Sequence, residues 1–424
     1  MKVSHMAEHI IGSEIIKLAS EIKSRKAAGE HIFNLTIGDF NPDIFPIPVE
    51  FKEEIIRAYG EGITNYPASN GMAELRDAVS DYLNRTQGLA YEPDNILISS
   101  GARPLIFATY LTLIDPGDTI IFPVPSWNNN HYTHISGANP IMVHTNPEDN
   151  FMPSAEVLAP HVKGATLVAL CSPLNPTGTV FSKEQLAGIC ELILEENNRR
   201  GPDEKPLYLL FDQIYSNLTY GETQHVDPVS LYPEMRAYTI FIDGMSKAFA
   251  ATGVRVGWGF GPEHVIRKMR SILSHAGTWS PKAEQVAASR YLSNKVQVDA
   301  YLVQIREQLN ARLLGFYEGI NQLKAKGFAV DAISPQAALY LTVKFDLVGM
   351  KRVDGTSLDT HADVHRYLID EAKVALVPFG AFGAEDSPWY RLSVGTARLE
   401  EIPQVIQQLG DAIGKLAAVP ASMG

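Results

Sequence analysis

Short, uninterrupted apolar runs recur along the middle of the sequence, and stretches with helical periodicity separate them. The runs are NILISS at 95–100, TIIFPV at 119–124, PIMVHT at 140–145, ATLVAL at 165–170, LYLLFD at 207–212 and YTIFID at 238–243. Apolar residues fill consecutive positions in these runs, which is typical of strands that are buried on both faces. Strands that alternate with helices predict a mainly parallel sheet with helices on both sides. The sequence therefore predicts an α/β fold.

The same pattern predicts two domains. We assign residues 50–310 to a large α/β domain, and residues 292–325 have the period of one long helix. The later segments AALYLTVKF, KVALVPF and YRLSVG, with helical stretches among and after them, predict a smaller α+β domain. We assign residues 311–424 to it, together with the N-terminal residues 1–49. The polar segment 195–206 is predicted to be a surface loop.

Composition and charge argue against several classes of protein. Of the 424 residues, 45% are hydrophobic and 20% are charged, as in ordinary globular proteins. The formal net charge of −12 argues against nucleic acid as a partner, because a phosphate backbone needs a basic protein face. The sequence has no apolar run long enough for a membrane span, and its N-terminus lacks the apolar segment of a signal peptide. We therefore expect a cytoplasmic protein that binds neither membranes nor nucleic acid.

The cysteines point to the same compartment. Cys171 and Cys190 have a spacing that fits no metal site, so we expect no bound metal. A disulfide could join them, but a reducing compartment is the simpler interpretation.

Polar and charged residues follow several of the predicted strands. Ligands of parallel sheets bind beyond the carboxyl ends of the strands, so these positions are candidates for a site. Gly101, Ala102 and Arg103 follow the run NILISS, and a glycine turn before a helix offers free N–H groups to a phosphate. Such turns also join strands to helices without binding a ligand, and that interpretation is the more frequent one.

The later strand ends carry three further polar residues. Asn175 lies between two prolines that restrict the backbone around it, although loop asparagines are also ordinary turn formers. Asp212 ends LYLLFD, where a buried carboxylate needs a cation or donors unless it serves as a helix N-cap. Lys247 follows YTIFID among glycine, alanine and serine, which make a poor surface for a solvated lysine.

One cofactor offers a partner to each of these groups. Pyridoxal 5′-phosphate has a phosphate, a phenolic oxygen, a pyridine nitrogen and an aldehyde that condenses with a lysine. The small neighbours of Lys247 leave room for the ring and the substrate. They also withhold water and hydrogen bonds from the amine, which helps it lose its proton and act as a nucleophile. The sequence therefore predicts a pyridoxal-phosphate site around Lys247.

Longer motifs, which cover nearly the whole chain, resemble those of the class I and II aminotransferases, a family of fold type I pyridoxal-phosphate enzymes. The motifs are LTIGDFNPDIFPIP at 35–48, NYPASNGMAELRDAV at 65–79, SPLNPTG at 172–178, FDQIYSNLTY at 211–220, DGMSKAFAATGVRVGWGFGP at 243–262 and WYRLSVG at 389–395. The resemblance implies a large domain with a mainly parallel seven-stranded sheet between helices, and a smaller α+β domain built from both termini.

The resemblance also implies how the cofactor would be held. Lys247 would bind it covalently and later transfer a proton, and Asp212 would pair with the ring nitrogen. Asn175 and Tyr215 would hydrogen-bond the phenolic oxygen, while Trp127 would stack on the ring unless it is only a core tryptophan. The implied cofactor-binding residues are Tyr66, Gly101, Ala102, Arg103, Trp127, Asn175, Asp212, Tyr215, Ser246, Lys247 and Arg255.

Phosphate and substrate would be bound by other parts of the chain. The N–H groups of Ala102 and Arg103 would bind the phosphate together with Arg255. Tyr66 would reach the phosphate of the neighbouring subunit, which implies a homodimer with shared active sites. Arg391 would clamp the substrate α-carboxylate, unless it forms an internal salt bridge. The implied substrate-binding residues are Gly38, Trp127, Asn175 and Arg391, and the implied catalytic residues are Lys247, Asp212 and Tyr215.

Some positions depart from the usual family pattern. Gly244 stands where one branch of the family has a phosphate-binding serine. Val254 replaces a common tryptophan, Asn130 replaces a common tyrosine, and Ala-Ala-Leu-Tyr at 337–340 replaces Gly-Ala-Phe-Tyr. The last three changes bear on the choice of substrate and not on cofactor binding.

The predicted function is amino-group transfer between an L-amino acid, with aspartate or an aromatic amino acid favoured, and a 2-oxo acid such as 2-oxoglutarate. A carbon–sulfur lyase or another β-eliminating enzyme would share every cofactor residue, so the motifs leave that alternative open. A ligand-sensing regulator is disfavoured by the acidic charge and because only about 30 residues precede FNLTIGDF, too few for a DNA-binding module. The sequence does not identify the residues that would bind the substrate side chain, although Trp279 of a partner subunit is one candidate.

Overall fold

The structure is a computed structural model that describes residues 2–10 and 12–417. The strands are β1 Phe33–Asn34, β2 Ile96–Ser99, β3 Thr119–Val124, β4 Asn139–His144, β5 Ala165–Cys171, β6 Tyr208–Asp212, β7 Thr239–Gly244, β8 Gly257–Phe260, β9 Val330–Ala332, β10 Tyr340–Phe345, β11 Val374–Ala375, β12 Val377–Pro378 and β13 Trp389–Ser393. The α-helices are α1 His5–His9, α2 Glu14–Ala27, α3 Val49–Gly60, α4 Ala73–Gln87, α5 Ala102–Leu113, α6 Asn129–Ser136, α7 Ala155–Leu158, α8 Lys183–Arg199, α9 Pro228–Leu231, α10 Met245–Ala248, α11 Glu263–Ala276, α12 Lys282–Ser293, α13 Lys295–Ala325, α14 His361–Asp370 and α15 Ile402–Ile413.

A seven-stranded sheet forms the centre of the larger part of the molecule, in the order β2-β8-β7-β6-β5-β3-β4. Strands β7, β6, β5, β3 and β4 are parallel to their neighbours in that series, whereas β8 is antiparallel to both β2 and β7. Every residue of β2 and β7 is buried, which explains why the apolar runs are continuous. The prediction of a mainly parallel sheet in an α/β fold is confirmed.

Strand β8 is the member of the large sheet that the apolar runs do not predict, because two of its four residues are glycines. A side chain would not fit at Gly257. A Cβ added there would lie 2.8 Å from the Cα of Gly101 and 2.9 Å from the N of Ala102. The glycine therefore lets β8 approach the start of α5.

Two helix boundaries differ from the sequence prediction. The segment 195–206 was expected to be a loop, but α8 continues to Arg199 because buried Glu196 pairs with that arginine at 2.8 Å. The long helix expected over 292–325 begins later. Asn294 separates it from α12 and caps it by accepting a hydrogen bond from the third residue of α13.

A four-stranded antiparallel sheet, in the order β12-β13-β10-β9, forms the centre of the smaller part. The N-terminal strand β1 joins this part by pairing in parallel with β11. Helix α13 contributes Val298 and Leu302 to the core around the large sheet, and it contributes Leu309 and Leu313 to the core of the smaller part. Because α13 runs through residue 310, the two-domain division at that residue stays a prediction.

Among the residues that the structure describes, none of the helices has both the length and the apolar character needed to cross a membrane.

Candidate active site

The carboxyl ends of the parallel strands face a cavity of about 600 Å³. Strand β6 ends at Asp212, and β7 leads directly into the short helix that carries Lys247. The smaller sheet supplies Tyr340 from β10 and Arg391 from β13. The predicted site residues that line this cavity are Gly38, Ala102, Arg103, Trp127, Asn175, Asp212, Tyr215, Ser246, Lys247, Arg255 and Arg391.

Lys247 is held by a backbone carbonyl from the N-terminal part of the chain. Its Nζ donates a hydrogen bond to the carbonyl oxygen of Gly38 at 2.6 Å. Burial lowers the pKa of Lys247 to about 8, and the positive charges of nearby arginines act in the same direction, while Asp39 opposes them. Near neutral pH more of this amine is therefore unprotonated than in an exposed lysine, and the unprotonated form is the one that acts as a nucleophile or proton acceptor.

Asp212 is a carboxylate that lacks a charged partner. Its Oδ1 accepts a hydrogen bond from the N–H of Ile214 at 3.1 Å, and no ion pair joins it to any residue of the described chain. Burial raises the pKa of Asp212 to about 6, and that hydrogen bond and the charge of Lys247 offset the rise only in part. A cationic ligand group beside Asp212 would stabilise its ionised form.

The start of α5 has the geometry of an anion-binding cradle. Gly101 precedes the helix with a φ of 87°, and a Cβ added there would collide with the guanidinium of Arg255. Arg255 donates to the carbonyl oxygens of Ser100 and Thr252, each at 2.7 Å. A fixed guanidinium therefore lies beside the free N–H groups of a helix N-terminus, and both attract a phosphate.

Trp127 gives the cavity its aromatic wall. The guanidinium carbon of Arg103 lies 4.6 Å from the centroid of the Trp127 ring, within the range of a cation–π contact. The side chain of Arg103 thus reaches the cavity, in addition to the backbone N–H group that the sequence pattern indicated.

Arg391 is buried without an acidic partner among the residues described. Its side chain is 2% exposed, with Nη1 donating to Oδ1 of Asn175 at 3.0 Å and Nη2 donating to the carbonyl oxygen of Thr36 at 2.6 Å. The remaining Nε is buried with no hydrogen-bond partner in the described chain. Burial lowers the pKa of Arg391. The internal salt bridge that was the alternative is absent among these residues, so the guanidinium is suited to an anionic ligand.

Two residues that the sequence prediction did not assign also lie at the cavity. The hydroxyl of Tyr340 lies 2.8 Å from that of Tyr215, and Asp39 accepts a hydrogen bond from Oγ1 of Thr252 at 2.6 Å. The register of the smaller sheet could have indicated Tyr340. Thr342 pairs with Arg391, and Tyr340, two residues earlier on the same strand, lies on the same face. No signal in the sequence alone marked Asp39 beyond its position after Gly38.

Tyr66 is not brought to the cavity of its own chain. Its side chain is 82% exposed, and it packs against Trp279 with ring centroids 5.3 Å apart. The exposed Tyr66 ring, packed on the half-buried Trp279, is compatible with contact to a second subunit, but the role of Tyr66 stays a prediction.

Comparisons with known proteins give a consistent result. A family model described as aminotransferase class I and II matches residues 30–409. The aspartate aminotransferase of Geobacillus stearothermophilus is 30% identical over 417 residues, which cover 96% of this chain and 98% of that protein. The crystal structure of the Rhizobium meliloti aspartate aminotransferase matches with a TM-score of 0.90 and 28% identity over 98% of this chain and 100% of that one. The structure of the Thermus thermophilus aspartate aminotransferase with maleate matches with a TM-score of 0.86 and 26% identity, over 97% of this chain and 100% of that one.

Proposed function

This chain belongs to the class I and II aminotransferase family and is an aminotransferase, and from that membership we propose that it moves an amino group between an L-amino acid and a 2-oxo acid with pyridoxal 5′-phosphate as cofactor. One observation of the structure carries the proposal. A nucleophilic lysine, a carboxylate and a guanidinium, namely Lys247, Asp212 and Arg391, line the same cavity, and neither charged group of the last two forms an ion pair with another described residue.

Pyridoxal 5′-phosphate fits the polar and charged groups that line the cavity. The phosphate would be held by the N-terminus of α5 and by Arg255, and the ring nitrogen by Asp212. Asn175 and Tyr215 would hold the phenolic oxygen, with Lys247 as the covalent attachment. When bound, the cofactor supplies an electron sink for the negative charge that develops on the substrate Cα.

The protein's own residues account for binding and proton transfer. Arg391 would bind the substrate α-carboxylate through the N–H donors that are not used by Asn175 and Thr36, and Asn175 keeps the guanidinium in place. Lys247 can accept and return a proton because its pKa lies near working pH. The negative charge of Asp212 raises the proton affinity of a neighbouring ring nitrogen.

A dicarboxylic amino acid such as aspartate is the proposed donor, with 2-oxoglutarate as acceptor. Arg103, Arg255 and Arg391 all line the cavity. If Arg255 holds the phosphate and Arg391 the α-carboxylate, Arg103 remains for a side-chain carboxylate, with its guanidinium against Trp127. Relatives named aspartate aminotransferases, and the maleate in the Thermus structure, support this assignment. Aromatic amino acids are the alternative donors.

The proposal includes the assembly and the location of the protein. We propose a homodimer in which Tyr66 of each subunit acts in the site of the other, because this exposed residue lies outside its own cavity. The cytoplasmic location expected from the sequence belongs to the same proposal.

A spectroscopic panel of amino donors tests the proposal. The purified protein should be yellow, and aspartate should bleach the visible absorbance more efficiently than alanine or an aromatic amino acid. Addition of 2-oxoglutarate should then restore the colour, which a carbon–sulfur lyase would not require. Reduction with borohydride should leave the cofactor on Lys247, and labelling of another lysine would refute the assignment.

A further inference from the structure

Tyr215 and Tyr340 form a pair of hydroxyl groups between the two parts of the molecule. Tyr215 follows β6 of the large sheet, and Tyr340 begins β10 of the smaller sheet. The two hydroxyl oxygens are 2.8 Å apart, and the rings meet edge to face with centroids 5.6 Å apart. Both side chains are buried, at 3% and 2% exposure, yet both line the cavity.

Either hydroxyl can donate this hydrogen bond, and a ligand of Tyr215 would fix its direction because each hydroxyl has a single proton. Burial raises the pKa of both Tyr215 and Tyr340, so each hydroxyl keeps its single proton. If the Tyr215 proton points to a ligand in the cavity, the Tyr215 oxygen can only accept a hydrogen bond. The hydroxyl of Tyr340 is the donor within reach.

Tyr340 also contacts the arginine that the proposed function gives to the substrate. The guanidinium carbon of Arg391 lies 4.6 Å from the centroid of the Tyr340 ring. The backbone at Gly38 leaves room for this arrangement, since an added Cβ would lie 2.7 Å from the Tyr340 oxygen. One side chain therefore contacts both the predicted cofactor ligand Tyr215 and the predicted carboxylate ligand Arg391.

We propose that Tyr340 is a positioning residue that donates its hydroxyl proton to Tyr215 and thereby directs the Tyr215 proton to the phenolic oxygen of the cofactor. The inference rests on the proposed function, because it takes pyridoxal 5′-phosphate as the ligand of Tyr215. A donated hydrogen bond also polarises the acceptor hydroxyl and makes it a stronger donor in turn. Through its ring, the same residue keeps the Arg391 guanidinium in place.

The expected effect is a shift in the pH titration of the bound cofactor. A hydrogen bond to an ionised phenolic oxygen stabilises the form that has lost its proton. In Tyr340→Phe this bond weakens while the ring remains, so the pH midpoint of the visible absorbance change should rise by about 0.5–1 unit, the size expected for one hydrogen bond. KM for the amino donor should stay near the wild-type value, because the ring still contacts Arg391.

A double-mutant cycle separates positioning from a merely structural role. The variants are Tyr340→Phe, Tyr215→Phe and the pair together, each loaded with cofactor. If Tyr340 acts through Tyr215, its replacement should cause no further shift once the Tyr215 hydroxyl is gone. The matched control is Tyr390→Phe, which removes a buried hydroxyl from the neighbouring strand β13. Tyr390 pairs with Val343, and the next residue of β13, Arg391, pairs with Thr342. Successive side chains of a strand point to opposite faces of the sheet, so the buried Tyr390 side chain lies on the face away from Arg391.

Each outcome of the cycle decides the inference. The inference is supported if the pH midpoint rises in Tyr340→Phe, shows no extra shift in the double variant and keeps its wild-type value in Tyr390→Phe. An unchanged midpoint in Tyr340→Phe, an equal extra shift in the double variant or the same shift in Tyr390→Phe would overturn it while leaving the proposed function intact. A wild-type protein that binds no pyridoxal 5′-phosphate would instead overturn the proposed function itself.

Discussion

Lys247 shows how strongly a single side chain depends on its surroundings. Burial lowers the pKa of Lys247 to about 8, whereas an exposed lysine has a pKa of about 10.4. Only the neutral amine attacks an aldehyde, so the rate at which cofactor-free enzyme captures added pyridoxal 5′-phosphate should rise with pH and level off above about 8. Stopped-flow absorbance measures this rate, and Lys247→Ala provides the blank. A rate that still rises steeply at pH 10 would show that the amine is solvated.

Asp212 should control the protonation of the cofactor ring. Asp212→Asn keeps the shape of the side chain and removes its charge, so the ring nitrogen should lose its proton more easily. Because the phosphate contacts remain, some cofactor should stay bound, while the half-reaction with the amino donor should slow by about 100-fold or more. Single-turnover absorbance measures the rate. A half-reaction close to the wild-type rate would rule out this role for Asp212.

Arg391 should bind the carboxylate that amino acids and oxo acids share. Arg391→Ala should therefore weaken both kinds of substrate by roughly 2–5 kcal/mol, the range for truncating one side of a buried charge pair. Arg391→Lys should recover only part of the loss, because lysine lacks the planar fork of donors. The cofactor absorbance should be unchanged in both variants. Loss of the cofactor spectrum, or weakening of only one kind of substrate, would contradict the assignment.

Sequence alone could indicate the residues whose chemistry is unusual at their position. A lysine among small residues and a carboxylate at the end of an apolar strand are visible without a structure, as Lys247 and Asp212 show. Tyr340 and Asp39 are less visible, since their importance depends on contacts with Tyr215 and with Thr252 that are distant in sequence.

At the scale of elements, the phosphate cradle depends on the close approach of β8 to the start of α5. In Gly257→Ala the added methyl would lie 2.8 Å from the Cα of Gly101, so one of the two backbones must move. Overpacking of this kind costs roughly 1–3 kcal/mol, and we expect the Kd for pyridoxal 5′-phosphate to rise by about tenfold. Cofactor titration and thermal unfolding measure both effects.

The control for Gly257→Ala is Gly60→Ala, at the end of α3. A Cβ at Gly60 would meet no other atom within 4 Å, so this variant should bind the cofactor like the wild type. Equal cofactor affinity in the two variants would show that the approach of β8 to α5 does not shape the cradle.

The strands that the sequence predicted are those whose residues form unbroken apolar runs. Strands buried on both faces, such as β5 and β7, are continuous apolar runs and were found. Strand β8 was missed because two of its four residues are glycines, which break the apolar run, and one of them, Gly257, allows close contact with the backbone of Gly101. The end of α8 was missed because the buried carboxylate of Glu196 pairs with Arg199 and Arg200 in an otherwise polar segment.

At the scale of the whole molecule, hydrogen bonds from side chains to a backbone carbonyl and to another side chain join the two parts at the cavity. Lys247 bonds to Gly38 and Arg391 bonds to Asn175, so these two predicted ligands of the cofactor and substrate also join segments that are far apart in sequence. That arrangement could be anticipated only from the resemblance to a known family, because no local pattern encodes which distant segments meet.

Tyr66 tests whether the active unit is a dimer. Tyr66→Phe should loosen the cofactor, and excess pyridoxal 5′-phosphate should relieve the defect. At limiting cofactor, mixed dimers of Lys247→Ala subunits and Tyr66→Phe subunits should regain activity, because one site receives both changes and the other receives neither. Mixtures of Lys247→Ala with wild type calibrate the exchange of subunits. Mixed dimers that form and stay inactive would mean that Tyr66 serves its own subunit or has no role.

The long helix α13 limits how such a gene can be rearranged. It has 31 residues, so it spans about 46 Å at the usual rise per residue. Its first half contributes Val298 to one core, and its second half contributes Leu313 to the other. A crossover between related genes at residue 310 would keep each half of the helix with the core against which it packs. Chimeras of this family should therefore be viable more often when a junction in α13 lies near its middle than when it lies within either half.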